Sequence, residues 1–222
     1  MIKIKKNTNF SIAIDGDSAS GKTTGSKFIA KYFGFKLLTS GKLYRYVAFR
    51  IIKDNKKKLD KKYLKKITKN ITFKKLQNNK MMYTDDVTSY ASSIAKIKFI
   101  RKLLNKFQKK FSKNKQFIIE GRDIASKILP NADLKLFFIC SPTEKAKRRF
   151  KEYIKEKRKI TLKEVKKSLK KRDYSDKNRK ESPLLFVKGA VLVDTTNLTL
   201  KQMEAKLKKL VQEAIQKKYG NL

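Results

Sequence analysis

The sequence predicts an α/β fold with a mainly parallel five-stranded sheet flanked by helices. Three observations carry that prediction. Short apolar runs alternate with stretches of helical spacing along all 222 residues, which is the pattern of strand–helix–strand units. Hydrophobic residues make up 40% of the chain and aromatics 10%, enough for one sizeable core. No internal repeat and no Gly/Ser- or Pro-rich linker divides the chain, so one large domain, or a core with an insert, is expected. In such sheets ligands sit at the carboxyl ends of the strands.

Residues 9–15 form a short apolar run ending at Gly16, a buried strand. Residues 22–33 follow as a helix with Phe28, Ile29, Tyr32 and Phe33 on one face and Gly34 as its cap. A second strand is expected at 35–38 and a helix at 42–53. Residues 56–84 look like an insert, with a strand at 71–73, a turn at Asn78-Asn79 and a strand at 81–84. One long helix is expected over 87–111, then strands at 116–120 and 134–140. Ser141-Pro142-Thr143-Glu144 caps a basic helix over 142–157, and Thr161-Leu162-Lys163-Glu164 is a second capping box. A last strand at 191–194 precedes a helix opened by Thr199. Its stripe is Leu200, Met203, Leu207, Leu210, Val211, Ala214 and Ile215.

The formal charge is +40, with 59 basic against 19 acidic residues. Such a chain suggests a polyanionic partner. Yet the charge is spread out, +12 over 141–180 and +6 over 53–66, which favours compositional bias. Fifty of the basic residues are lysine and only nine are arginine, at positions 45, 50, 101, 122, 148, 149, 158, 172 and 179. In a chain that spends lysine so freely, arginine marks places where a planar, bidentate fork is wanted, as for phosphate or carboxylate. The single cysteine, Cys140, cannot close an intrachain disulfide and suits a buried apolar position. No run of eighteen apolar residues suggests a membrane span, and the basic, polar start has no signal-like apolar stretch.

Gly16-Asp17-Ser18-Ala19-Ser20-Gly21-Lys22-Thr23 matches G-x-x-x-x-G-K-[ST] between the first strand and the first helix, with Thr24 next in the helix. Loop amides would cradle phosphate and the helix dipole would favour it. Lys22 would reach the β- and γ-phosphates, and the Thr23 hydroxyl would ligate Mg²⁺. The loop predicts bound nucleoside triphosphate, ATP first. No N-K-x-D motif follows any Asn-Lys pair, which argues against a GTPase, and the length suits a small phosphotransferase.

Further groups carry chemistry: Ser40-Gly41-x-x-Tyr44-Arg45, Ser92 with Arg101, Gly121-Arg122-Asp123, Arg148-Arg149, and Arg172-Asp173-x-x-Asp176-x-Asn178-Arg179. The stripe Leu162, Val165, Leu169 continues through Arg172, Asp176 and Arg179. If the helix persists, these charges face inward.

Together the motifs resemble the bacterial cytidylate kinases, a branch of the nucleoside monophosphate kinases, from about Phe10 to Ile215. The most specific pieces are Ile14-Asp15-Gly16 before the loop, the Ser40 and Arg172 motifs, and Glu120-Gly121-Arg122-Asp123. The resemblance implies a single P-loop kinase domain over 1–222. Its core is about 9–52, 87–140 and 190–219, its NMP-binding insert about 53–86 and its helical lid about 141–182. It implies transfer of the γ-phosphate of ATP to CMP or dCMP with Mg²⁺. It further implies a cytoplasmic enzyme, monomeric, with no specific nucleic acid or membrane partner. Ser92, or its neighbour Ser93, with Arg101 and Asp123 would read the cytosine edge. Arg45, Arg122 and Arg179 would clamp the monophosphate, with Ser40 beside them. Arg172 and Asp176 would contact ribose, and Arg148 and Arg149 would act from the lid. Lys22, Arg122, Arg148, Arg149 and Arg179 would stabilise the transferring charge. The sequence departs from that family at Thr39 and Ser175, where Asp and Arg are common, in Glu120 for Asp, and in a shorter segment before Ser92. The alternatives are a P-loop kinase for another nucleoside monophosphate, or a basic nucleic-acid-binding protein.

Overall fold

The computed structural model describes residues 8–56, 59–76 and 80–220. The chain forms two compact units, Met1–Leu38 with Ser112–Leu222, and Thr39–Phe111.

The first unit is built on the sheet. Strands β1 (Phe10–Gly16), β2 (Lys36–Thr39), β3 (Gln116–Glu120), β4 (Leu134–Ile139) and β5 (Val191–Asp194) lie in the order β2-β3-β1-β4-β5. β1 runs parallel to β3 and to β4, and β4 parallel to β5. Ile12 lies opposite both Ile118 and Leu134, and Ile14 opposite Glu120 and Leu136. Because these strands are parallel neighbours, their carboxyl ends share one edge. The loop after β1 and the segment Gly121-Arg122-Asp123 after β3 therefore emerge side by side.

Helix α1 (Lys22–Phe33) ends in the left-handed Gly34, whose φ is 76°, as the apolar spacing and the glycine require. The C-terminal helix, Leu200–Tyr219, buries Met203, Leu207, Val211 and Ile215. These join Phe10, Ile12, Ile14, Ile29, Ile118, Leu136, Phe138 and Val193 in one core. Leu200, expected in that stripe, is 56% exposed because it sits at the first turn. Free Cys140 is buried, as its apolar character predicts.

The second unit is helical, with α2 (Ser40–Lys53), α3 (Lys61–Lys69), α4 (Phe73–Leu76), α5 (Asp85–Ile94) and α6 (Lys98–Phe111). Leu43, Val47 and Ile51 of α2 line its core with Leu64, Ile67, Val87, Ile94, Ile100 and Leu104. Three expectations fail here. The strand at 71–73 is absent, and Phe73 opens the single turn α4, with its ring 5.4 Å from that of Phe111. Three β-prone residues without a partner strand fall back on local bonds, such as Leu76 N–H to Thr72 O at 3.2 Å. The strand at 81–84 is instead a 3₁₀ turn, Lys80–Tyr83. Met82 is fully buried between exposed Met81 and Tyr83, so the turn sends a single side chain inward. The Asn78-Asn79 turn lies outside the described residues.

The single helix over 87–111 is broken into α5 and α6. Lys96 and Ile97 donate to Ser93 and Ile94, three residues back, which tightens and ends α5. The Arg101 guanidinium then donates to Ala95 O at 2.9 Å and caps the break. Apolar residues recur at helical spacing on both sides of the break, and only the six-residue step from buried Ile94 to buried Ile100 marks it.

Two further helices of the first unit, α7 (Pro142–Lys155) and α8 (Leu162–Asn178), start as their caps predict. Ser141 accepts from Glu144 N, and Thr161 with Glu164 closes a full capping box. The C-terminal helix is α9, opened by a like pair, Thr199 and Gln202. Val165 and Leu169 of α8 pack with Ala146 of α7 and reach Ala19 of the glycine-rich loop. No helix of the described residues is long and apolar enough to cross a membrane.

Candidate active site

The loop between β1 and α1 wraps tightly. Gly16 has φ 148° and Gly21 φ 83°, conformations that side-chain-bearing residues rarely adopt. Ala19 is held at φ 55°. Ser20 Oγ donates to Asp17 O at 2.9 Å and closes the turn. Lys22 is buried, and its Nζ donates to Asp17 O at 2.9 Å. Burial first, and then the charge of Arg122, hold the Lys22 ammonium well below its ordinary value. Glu120 and Asp176 act on it favourably but do not outweigh that cost, and a polyphosphate would add further counter-charge.

Beside it, Thr23 Oγ1 donates to Glu120 Oε1 at 3.0 Å. The other carboxylate oxygen, Oε2, is buried with no hydrogen-bond partner among the described residues. No group of three or more His, Cys, Asp or Glu that could hold a metal occurs among those residues. One hydroxyl and one spare carboxylate oxygen match an ion that takes most of its ligands from phosphate and water.

Arg122 ties three segments together. Its Nε donates to Asp176 Oδ2 at 2.8 Å, its Nη1 to Gly121 O at 3.1 Å and its Nη2 to Ser18 Oγ at 3.2 Å. Arg179 donates from Nη1 to the other oxygen of Asp176 at 3.2 Å and from Nε to Ser182 O at 2.7 Å. Asp176 thus gathers Arg122 and Arg179, two of the three arginines expected to hold the monophosphate. Burial alone would raise its carboxyl, but Arg122, Arg172 and Arg179 outweigh burial and hold it below the ordinary value. The inward stripe of α8 is therefore present, although Leu162, at its start, is 40% exposed. Helix α8 stops at Asn178, and Arg179 is its extended cap residue.

Arg148 and Arg149 diverge. Arg148 donates from Nη1 to Thr195 Oγ1 at 2.9 Å and from Nη2 to Thr195 O at 2.6 Å. The Thr195 hydroxyl in turn donates to Ser20 O at 3.0 Å, linking Arg148 to the loop. Arg149 pairs instead with Glu152 of its own helix at 2.9 Å. Asp123 is buried, and its carbonyl starts a π turn, Ile124–Ile128. The side chain of Asp15 caps that turn, accepting from Ile124 N at 2.9 Å and Ala125 N at 2.8 Å.

In the helical unit, Ser40 is buried at the start of α2. Arg45 lies over the Tyr83 ring at 5.0 Å, and Arg101 over Tyr44 at 5.6 Å. Both guanidiniums thus lie within cation–π range of a tyrosine ring. Ser92 is half-buried and Ser93 exposed. Each hydroxyl donates to a carbonyl one turn back, Thr88 O at 3.2 Å and Ser89 O at 3.4 Å.

Residues 12–213 match the family described as cytidylate kinase. The chain belongs to the cytidylate kinase family. It is 40% identical over 205 residues to the cytidylate kinase of Fusobacterium nucleatum, covering 88% of this chain and 94% of that protein. It is 36% identical over 212 residues to that of Thermosipho melanesiensis, covering 91% and 96%. A crystal structure of an uncharacterized protein from Eubacterium ventriosum is similar in fold, with a TM-score of 0.51 at 16% identity. That alignment covers 92% of this chain and 99% of the other.

Some residues of this cytidylate kinase site escaped the sequence reading. Thr195 follows β5 with nothing in its neighbourhood to single it out. Lys145 is one lysine among fifty, yet it is buried between Asp17 and Asp173. Buried ion pairs across distant segments leave no local pattern.

Asp15 supplies a pH prediction. Burial first, and Asp123 nearby, outweigh its two amide bonds and push its carboxyl up to about 6 from 3.8. The folded state then binds a proton between pH 4 and 6 that the unfolded chain lacks, so this contribution to stability falls as pH rises across that window. Asp15→Asn is expected to lower stability overall and to make the slope of unfolding free energy against pH more positive between pH 4 and 6. Urea unfolding at pH 4, 5 and 6 checks it, and an unchanged slope contradicts it.

Proposed function

We propose that the chain transfers the γ-phosphoryl group of ATP to CMP or dCMP, giving ADP and CDP or dCDP. The observation that carries this reading is the buried Lys22, its ammonium disfavoured by burial and Arg122, in a loop tied to the Arg122–Asp176–Arg179 group, in a chain of the cytidylate kinase family.

ATP would lie in the loop 16–24, with backbone amides and Lys22 on its phosphates. Thr23 and Glu120 would hold Mg²⁺ between them, which would neutralise charge on the β- and γ-oxygens when bound. Arg148, anchored by Thr195 next to the loop, would face the transferring group, and Arg149 would serve from the lid after turning from Glu152. Arg45, Arg122 and Arg179 would clamp the acceptor phosphate with Ser40 beside them. Asp176 would have to share its oxygens between those arginines and the ribose that it contacts with Arg172. Ser92, Arg101 and Asp123 would read the base.

No general base is required, because the acceptor phosphate is already anionic. The reaction calls for positioning and charge stabilisation, which arginine forks and a lysine supply. The core, the insert at 53–86 and the lid at 141–182 would work as one domain. The enzyme would be cytoplasmic and monomeric, acting on small nucleotides alone. The test is which nucleoside monophosphate receives labelled phosphorus from γ-labelled ATP. CMP and dCMP are expected to take it up fastest.

A further inference from the structure

Lys145 belongs to none of the motifs. It lies one residue past the Ser141 capping box, in a helix whose other lysines face solvent, yet it is only 6% exposed. Its Nζ lies 2.5 Å from Asp173 Oδ2 of α8 and 3.2 Å from Asp17 Oδ2 of the phosphate loop. The second oxygen of Asp173 accepts from the Ser18 amide of the same loop at 2.8 Å. Asp17 also meets Lys177 Nζ at 3.2 Å, but Lys177 is half exposed and so screened. The charge of Asp173 also acts on Arg122 through space.

The arrangement has a clear electrical logic. Asp17 puts a carboxylate inside a loop whose ligand is a polyanion, and Asp173 puts a second one against a loop amide. Both are buried, so their repulsion of each other and of phosphate is little screened. Lys145 is the buried cation between them. It has the same effect on shape, because one ammonium fastens α7 to both the loop and α8. Ala19, strained at φ 55°, packs on the apolar cluster that these two helices form.

We propose that Lys145 is a positioning residue for the donor nucleotide: its ammonium bridges Asp17 and Asp173, offsets one of their two charges, and thereby keeps the phosphate loop shaped and electrically open for ATP. This rests on ATP occupying that loop. Lys145 touches no phosphate; it acts through Asp17, Asp173 and the Ser18 amide.

Lys145→Met is expected to raise the Kd and KM for ATP about tenfold or more, since small displacements at such a loop are costly, while KM for CMP moves far less. Lys145→Arg should stay close to wild type. Adding Asp17→Asn to Lys145→Met restores the net charge of the cluster and should recover most of the ATP affinity. If Lys145→Met does not fold, that charge-balanced double variant decides: Kd for ATP near wild type supports the proposal, and a tenfold loss overturns it. A Lys145→Met protein with unchanged Kd for ATP, or with a loss that Asp17→Asn does not repair, also overturns it. ATP binding is read by calorimetry, without acceptor. A wrong assignment of the acceptor would leave this result standing, and Lys22→Ala in the same titration reports whether ATP uses the loop at all.

Discussion

Lys22→Ala is expected to lower kcat for CMP phosphorylation by about a thousandfold or more, the scale seen when a group that stabilises transferring charge is removed. The fold should survive, because the ammonium spends its hydrogen bond on a loop carbonyl, Asp17 O, and not on the core. Burial and Arg122 already disfavour its charge in the free enzyme, so the folded protein bears a cost that bound phosphate relieves. Removing that charge would leave thermal stability equal or improved while turnover collapses. Single-turnover rates with the melting temperature measured alongside separate the two effects. A kcat within tenfold of wild type would sink the loop assignment.

Gly16→Ala carries the second large effect, on stability. A Cβ at Gly16 would lie 2.2 Å from Phe138 O and 2.8 Å from Phe138 N, both backbone atoms of the neighbouring strand, and φ is 148°. Gly16 is paired with Phe138 in the β1–β4 ladder, so neither partner can retreat without breaking the sheet. The cost should be about 3 kcal/mol or more, a fall in Tm of roughly 6–12 °C for a chain of this size. Gly34→Ala is the control. That glycine also has positive φ, 76°, but nothing lies within 4 Å, so only the backbone penalty of about 1 kcal/mol remains. Equal losses for the two variants would show that the strand contact at Gly16 does not constrain the loop.

The sheet was legible because each strand is a short apolar run bounded by a turn or cap, and three helix starts were legible because capping is local chemistry. The helical unit was harder. The short apolar run at 81–84 imitates a strand although only Met82 is buried, and the α5–α6 break is closed by Arg101 from six residues away. Local propensity cannot foresee a cap that a later side chain provides. At the site, arginine scarcity pointed to residues that the structure gathers on Asp176. The two arginines outside the motifs also use their forks, Arg50 on Asp54 at 2.8 Å and Arg158 on Glu156 at 2.7 Å. The same reasoning was blind to Lys145, because lysine abundance hides a lysine that matters.

The central claim is tested most directly by kcat/KM for CMP, dCMP, UMP, AMP and GMP, each with saturating ATP and Mg²⁺, read as label passing from γ-labelled ATP to the diphosphate. The account predicts that CMP and dCMP stand well above the others and that labelled inorganic phosphate stays low. A higher kcat/KM for UMP, AMP or GMP, or label released mainly to water, would contradict it.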